Sequence, residues 1–147
     1  MCLIVDINVA NKVLLVSDDP DFMDVHICLF TNSNPRGSLV YGGKLMDEYS
    51  KSREIIKKLV ELDRAGRARR VDDDLIDEEM EWIIQSGLCK SNDGHIIALA
   101  RVGRVRLLCS HDRDLHADFT NKELLNKPRG KVYQRPTHRN LLSRFCG

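Results

Sequence analysis

Short apolar runs, each closed by a charge or a polar cluster, punctuate the chain. The first, Cys2-Leu3-Ile4-Val5, stops at Asp6. A continuous run of this kind predicts a strand buried on both faces of a parallel sheet. Residues 104–109, centred on Val105-Arg106-Leu107-Leu108-Cys109, predict another such strand, and Ser110-His111-Asp112-Arg113-Asp114 follows it directly. In residues 24–30, Val25, Ile27 and Leu29 alternate with His26, Cys28 and Phe30. With the turn-forming residues 32–37 and the run Ser38-Leu39-Val40-Tyr41, that alternation predicts a β-hairpin. From Lys44 to about Ala65 the spacing changes, and Leu45, Tyr49, Ile56 and Leu59 recur three, four or seven apart, predicting one long amphipathic helix that ends near Gly66. A second helix follows Asp72-Asp73-Asp74, contains Met80 and Trp82 and stops at Gly87. A third, short helix opens at Asn92 or Asp93 and runs through His-Ile-Ile-Ala-Leu-Ala to Gly103. Gly130-Lys131-Val132-Tyr133 predicts a last strand, and Thr137 is the expected cap of a C-terminal helix.

Strands separated by helices predict an α/β fold with helices on both faces of the sheet. In such sheets ligands bind outside the carboxyl ends of the strands. The length, 147 residues, fits a single domain spanning residues 1–147. A net charge of +1 says little about partners, but residues 122–147 form a basic segment, with Lys122, Lys127, Arg129, Lys131, Arg135, Arg139 and Arg144 against Glu123 alone. The five cysteines form no CxxC pair, so the spacing gives neither a disulfide framework nor a zinc ribbon, and a reducing compartment is expected. No run approaches the length of a membrane span, and the start lacks a basic n-region. A cytoplasmic protein without membrane contact is expected.

The acidic residues then become informative. Asp6 and the Asp112/Asp114 pair each follow an apolar strand, so parallel neighbouring strands would bring them to one edge. Asp93 opens a helix, and helix N-termini lie at that edge too. On a wheel of about 100° per residue starting at Leu45, Glu48 falls near ~300°, inside the apolar arc, whereas Asp47 falls near ~200° on the solvent side. Glu48 is thus the fourth acid. Several carboxylates in one crevice repel and are costly to desolvate, and a divalent cation resolves both costs. Hard oxygen donors without supporting cysteines favour Mg²⁺ or Mn²⁺ over zinc, and such sites serve phosphodiester hydrolysis.

The segments LIVDINV, LMDEY, NDGHIIALAR and LLCSHDRDL, in this order and spacing, resemble the PIN domain nucleases. The resemblance covers roughly residues 1–120 and has its most specific part at residues 93–115. It implies a three-layer α/β/α sandwich around a central, mostly parallel sheet. It also implies Mg²⁺ or Mn²⁺ dependence and cleavage of single-stranded RNA to 5′-phosphate and 3′-hydroxyl ends, with an antitoxin protein as possible partner and a homodimer as possible assembly. By position, Asp6, Glu48, Asp93 and Asp112 match the acidic quartet and Asp114 an accessory acid. Ser110 matches the small hydroxyl residue after the fourth strand, and Asn8 a polar residue two places after the first acid. The chain departs from the family in the hairpin expected at residues 24–41, where the family has helices. It also departs in placing Phe119 five residues after Asp114.

Each acid has a plainer reading. Asp6 could close a strand, Asp93 could only cap a helix, Glu48 could pair with Lys44 or Arg53, and Asp112 and Asp114 could open a turn. His111 and His116 are read as solvated loop histidines, Asp118 as a surface acid or helix cap, and Asp72-Asp73-Asp74 as a cap and dipole partner. Lys131 and Arg135 are candidates for tracking a phosphate backbone. Beside the metal-dependent ribonuclease stand two alternatives. One is a catalytically weak module that binds RNA or protein. The other is a phosphohydrolase of small molecules, against which the Asp-Ile-Asn ending of the first strand and the absence of a Gly-rich phosphate loop speak.

Overall fold

The computed structural model describes residues 2–147. Strand β1 (Ile4–Val5) leads through Asp6 into helix α1 (Ile7–Ala10), which continues as a π-helical turn over Asn11–Leu15. Helix α2 (Met23–Phe30) precedes β2 (Leu39–Tyr41), α3 (Gly43–Tyr49), α4 (Arg53–Arg64) and β3 (Ala68–Arg70). Then come α5 (Asp73–Ser86), α6 (Gly94–Gly103), β4 (Leu107–Cys109), α7 (Arg113–Phe119), β5 (Lys131–Tyr133), a 3₁₀ turn at Pro136–His138 and α8 (Asn140–Cys146). The fold is mixed α/β, with eight α-helices among the described residues.

All strand pairings are parallel. β4 lies between β1 and β5, in register Ile4↔Leu108, Val5↔Cys109 and Cys109↔Tyr133. β2 pairs with β3, and a parallel bridge between Leu3 and Leu39 joins the two ladders, supported by the Val40 amide donating to the Leu3 carbonyl at 2.9 Å. The strand order is therefore β3-β2-β1-β4-β5. Chain progression reverses direction between β1 and β4, which makes the carboxyl ends of those two strands the topological switch point. Leu3, Ile4, Val5, Leu107, Leu108 and Cys109 are fully buried, as continuous apolar runs in a parallel sheet require. Helix α6 is buried from Gly94 through Ala100 and packs on α5, α3 and β2. It is apolar nearly all round for that reason.

Four expectations are corrected. Residues 24–30 form α2, not a hairpin strand: Val25, Cys28 and Leu29 are buried, a spacing of three and four that a helix meets and an alternating strand does not. The expected long helix breaks into α3 and α4, because Ser52 caps a new helix by accepting a hydrogen bond from the Ile55 amide at 3.3 Å. Thr137 caps nothing; it lies within the 3₁₀ turn, and α8 starts from Arg139 without a side-chain cap. The cysteines are not all free, since Cys2 and Cys146 form a disulfide with Cα atoms 5.1 Å apart, while Cys28, Cys89 and Cys109 remain thiols. Sequence spacing could not reveal that pair, because the fold alone brings the start of β1 beside the end of α8.

Gly42-Gly43 makes the tight join from β2 to α3. Gly42 has φ +152°, and a Cβ there would sit 2.7 Å from the Val71 carbonyl oxygen. The join lets α3 start directly beyond the sheet edge, which carries Glu48 to the switch point.

Candidate functional site

Asp6 and Ser110 emerge from the adjacent carboxyl ends of β1 and β4. Asp6 is almost fully buried, and its two oxygens are held separately. Oδ1 accepts from the Ile7 amide at 2.8 Å, and Oδ2 accepts from the Ser110 hydroxyl at 2.7 Å. Ser110 Oγ in turn accepts from the Asp112 amide at 3.1 Å and from the Asn8 amide nitrogen at 3.5 Å, while Asn8 Oδ1 accepts from the His111 amide at 3.4 Å. Ser110 and Asn8 thus tie the two strand ends together and orient their acids. Asp112 caps α7, its Oδ1 accepting from the amides of Asp114 and Leu115 at 3.0 and 3.2 Å. The turn-opening reading of Asp112 is correct for that one oxygen. Asp114 is exposed on the first turn of α7, and its charge is not among those that act on Asp6 or Asp93.

Glu48 lies on the same face of α3 as the buried Leu45 and Tyr49, and Asp47 is exposed. It pairs with neither Lys44 nor Arg53. Its Oε1 lies 3.2 Å from His95 Nε2, and His95 Nδ1 lies 4.0 Å from Asp93 Oδ1. His95, the fourth residue of the NDGH segment, carries no signal of this contact in the sequence. Burial pushes its pKa down to about 4, against the upward pull of Asp93, so near neutrality it is a neutral ring that hydrogen-bonds Glu48 and lends the acids no positive charge. Asp93 occupies the cap position of α6 without making a side-chain cap hydrogen bond, so its carboxylate is not committed to the helix.

The electrostatics tie these acids into one group. Burial raises the Asp6 pKa, opposed by the Ser110 and Ile7 hydrogen bonds and reinforced by the charges of Glu48 and Asp112. Burial also raises that of Asp93, helped by the Asp6 charge and by a carboxyl-to-carboxylate contact with Asp112. Among the described residues, no lysine or arginine forms an ion pair with any of the four. Nor do three or more His, Cys, Asp or Glu side chains among the described residues stand close enough together to hold a metal ion as they are placed. The chemistry of the donors nonetheless fits a hard divalent cation: carboxylate oxygens that raise one another's pKa, with no cation of the protein's own to balance them.

The flanking residues divide. His111 is exposed beside Phe22, but His116 is half-buried on α7, its Nε2 2.6 Å from the Ser110 carbonyl, so the solvated-loop reading fails for His116. Asp118 is not a surface acid. It is 1% exposed and accepts from the amides of Lys90 and Ser91 at 2.8 and 2.9 Å and from the Ser91 hydroxyl at 2.7 Å. This carboxylate fastens the segment leading to Asp93 onto the helix that starts at Asp112. Asp118→Ala leaves three donors without their acceptor and should cost about 2–4 kcal/mol, read as a lower urea midpoint at unchanged m value. Asp72 caps α5 as expected, its Oδ1 accepting from the Asp74 amide at 2.8 Å. Arg135 is exposed two residues past β5, at the crevice edge, whereas Lys131 opens that strand at its other end.

Comparison of the chain with protein-family models, with curated protein sequences and with solved structures gave no match. No helix is long and apolar enough to cross a membrane among the described residues.

Proposed function

We propose that the chain is a PIN-like, metal-dependent endoribonuclease acting on single-stranded RNA. The observation that carries this reading is the convergence of Asp6, Glu48, Asp93 and Asp112 at the switch point of a parallel sheet, coupled to one another and paired with no lysine or arginine. The order β3-β2-β1-β4-β5 with helices between strands supports a three-layer α/β/α sandwich. The helices α1 and α2 between the first two strands remove the departure from the PIN pattern that the expected hairpin would have made.

Asp6, Glu48, Asp93 and Asp112 would hold Mg²⁺ or Mn²⁺. When bound, such an ion lowers the pKa of a water and neutralises charge on the phosphodiester. The residues of the chain prepare that chemistry. Ser110 fixes Asp6 Oδ2, Asn8 fixes Ser110, and neutral His95 hydrogen-bonds and orients Glu48. Asp114 stands at the rim as an accessory acid, and Arg135 offers a phosphate contact beside an otherwise acidic crevice. An antitoxin partner and a homodimer belong to the same reading on the strength of the PIN-like pattern alone, whereas the reducing, cytoplasmic setting expected from the cysteine spacing stands against the Cys2–Cys146 disulfide, a bond that oxidising compartments favour.

The test is cleavage of an end-labelled, mixed-sequence single-stranded RNA with Mg²⁺, Mn²⁺ or EDTA, beside Asp6→Asn. Cutting that needs the metal and is lost in the variant is the expected result. Binding of RNA without turnover under either metal would replace the enzyme by the binding module. Charge reversal of Lys131 and Arg135 together should weaken RNA binding and flatten its salt dependence, with Arg135→Glu alone giving most of the effect. Unchanged affinity at low salt would remove the basic segment from the interface.

A further inference from the structure

Away from the acids, the amino end of the sheet carries a cationic cleft. Arg101 near the end of α6, Arg106 just ahead of β4, and the segment 122–124 beyond α7 enclose about 390 Å³. Arg101 follows Asp93 by eight positions, about 12 Å along α6, and Arg106 stands at the opposite end of β4 from Ser110.

Two guanidiniums are pinned there. Arg106 donates from Nε to the Pro128 carbonyl at 3.0 Å, and from Nη1 to the carbonyls of Ala100 and Val105 at 3.0 and 2.9 Å. Arg101 pairs with Glu79 through Nε and donates from Nη1 to the Leu124 carbonyl at 2.5 Å. Both heads are thus held by Nε and Nη1, and neither Nη2 makes a hydrogen bond among the described residues. Arg106 joins no ion pair among those residues, and burial together with the Arg101 charge lowers its pKa. Lys122 is exposed on the same cleft, and exposed Lys127 and Arg129 flank the Pro128 that Arg106 holds. Of the two lining carboxylates Glu79 is taken by Arg101, which leaves Glu123 alone against these cations. Pinned, mutually repelling guanidiniums with spare donors suit phosphate oxygens.

An independent observation names what carries the phosphates. Trp82, the one tryptophan of the chain, stands 42% exposed on α5, with the Arg101 Cζ 4.2 Å from its ring centroid. Sites for single-stranded nucleic acid combine these two parts, cations that track the backbone and an aromatic ring on which a base stacks. We propose that the Arg101–Arg106–Lys122 cleft and Trp82 form a docking site for single-stranded RNA, with phosphates in the cleft and a base on the indole. The choice of RNA rests on the ribonuclease reading above. A duplex satisfies only the phosphate half, because its bases are already stacked on one another. RNA held here is gripped well away from the acids that would cut it.

The test follows Trp82 emission while the full, disulfide-intact chain in EDTA is titrated with oligouridylate, duplex RNA or inorganic polyphosphate. Oligouridylate should quench the emission, and polyphosphate should displace it without quenching. Trp82→Ala should weaken oligouridylate binding about tenfold, read by anisotropy of the labelled RNA, and Trp82→Phe should recover most of the loss. Lys122→Gln, at an exposed side chain, should weaken binding several-fold and lower the slope of log affinity against log salt by about one. Metal-dependent cutting of RNA without any response of Trp82 overturns the docking site and leaves the ribonuclease reading standing. Quenching without cutting under either metal does the reverse. Equal quenching by duplex RNA, unchanged affinity in Trp82→Ala, or emission that changes with protein concentration alone, which makes a second copy of the chain the occupant, also overturns the proposal.

Discussion

Asp93→Asn is expected to reduce metal-dependent RNA cleavage at least ~100-fold while raising the thermal midpoint of the metal-free protein. The two effects have one cause. The Asp93 pKa is raised by burial, by the Asp6 charge and by contact with Asp112, so its ionised form opposes folding. A carboxyl whose folded pKa exceeds its unfolded value binds more protons in the native state between the two values. Stability therefore falls as pH rises from the ordinary carboxylate range through the raised native pKa, and stays lower above it. Asparagine removes the charge that causes this fall, and no cap hydrogen bond is sacrificed because Asp93 makes none. Relief of about 1 kcal/mol would appear as roughly 2–4 °C for a chain of this size. Adding Mg²⁺ should raise the midpoint of the parent protein and leave that of the variant nearly still. A lower midpoint in EDTA, or cleavage at the parent rate, would contradict the role given to Asp93.

Much of this site could be read from residue order because its members sit at element boundaries. Asp6 and Asp112 follow apolar runs that do form adjacent parallel strands, and Asp93 stands before an apolar helix that does form. Glu48 was reached through a helical wheel whose anchors Leu45 and Tyr49 share its helix, so its inward placement survived the break at Ser52 that separated it from Ile56 and Leu59. His95 escaped notice because it lies in a buried apolar helix, and a lone histidine there signals nothing until its neighbours across the fold are known. The same holds for Asp118, whose three donors come from residues 90 and 91. Residues 24–30 fit an alternating and a three-to-four spacing equally well over seven positions, and only burial against the rest of the fold decides for helix α2. The cleft between α2 and α8 depends on both helices together, elements whose mutual packing no local pattern specifies.

The second large effect belongs to the Cys2–Cys146 disulfide, whose members are separated by 144 positions in sequence. A crosslink that closes nearly the whole chain into one ring removes much of the freedom of the unfolded state, and bonds of this kind typically contribute about 2–4 kcal/mol. Reduction, or Cys146→Ser, should therefore lower the thermal midpoint by roughly 5–15 °C. The damage should also be directional. The disulfide anchors α8, which is otherwise seated by buried Leu142 with half-buried Leu141 and Phe145, and α8 forms one wall of the cleft it shares with α2. Cys2 precedes β1, whereas the acids stand beyond its carboxyl end, with Asp6 fixed there by Ser110. Below the lowered midpoint, limited proteolysis of the reduced protein should cut at α8 first while metal-dependent cleavage keeps its parent rate. Loss of cleavage as well would mean that α8 supports the whole sheet rather than its own edge, and a midpoint unmoved by reductant would mean that the two cysteines are not joined in solution.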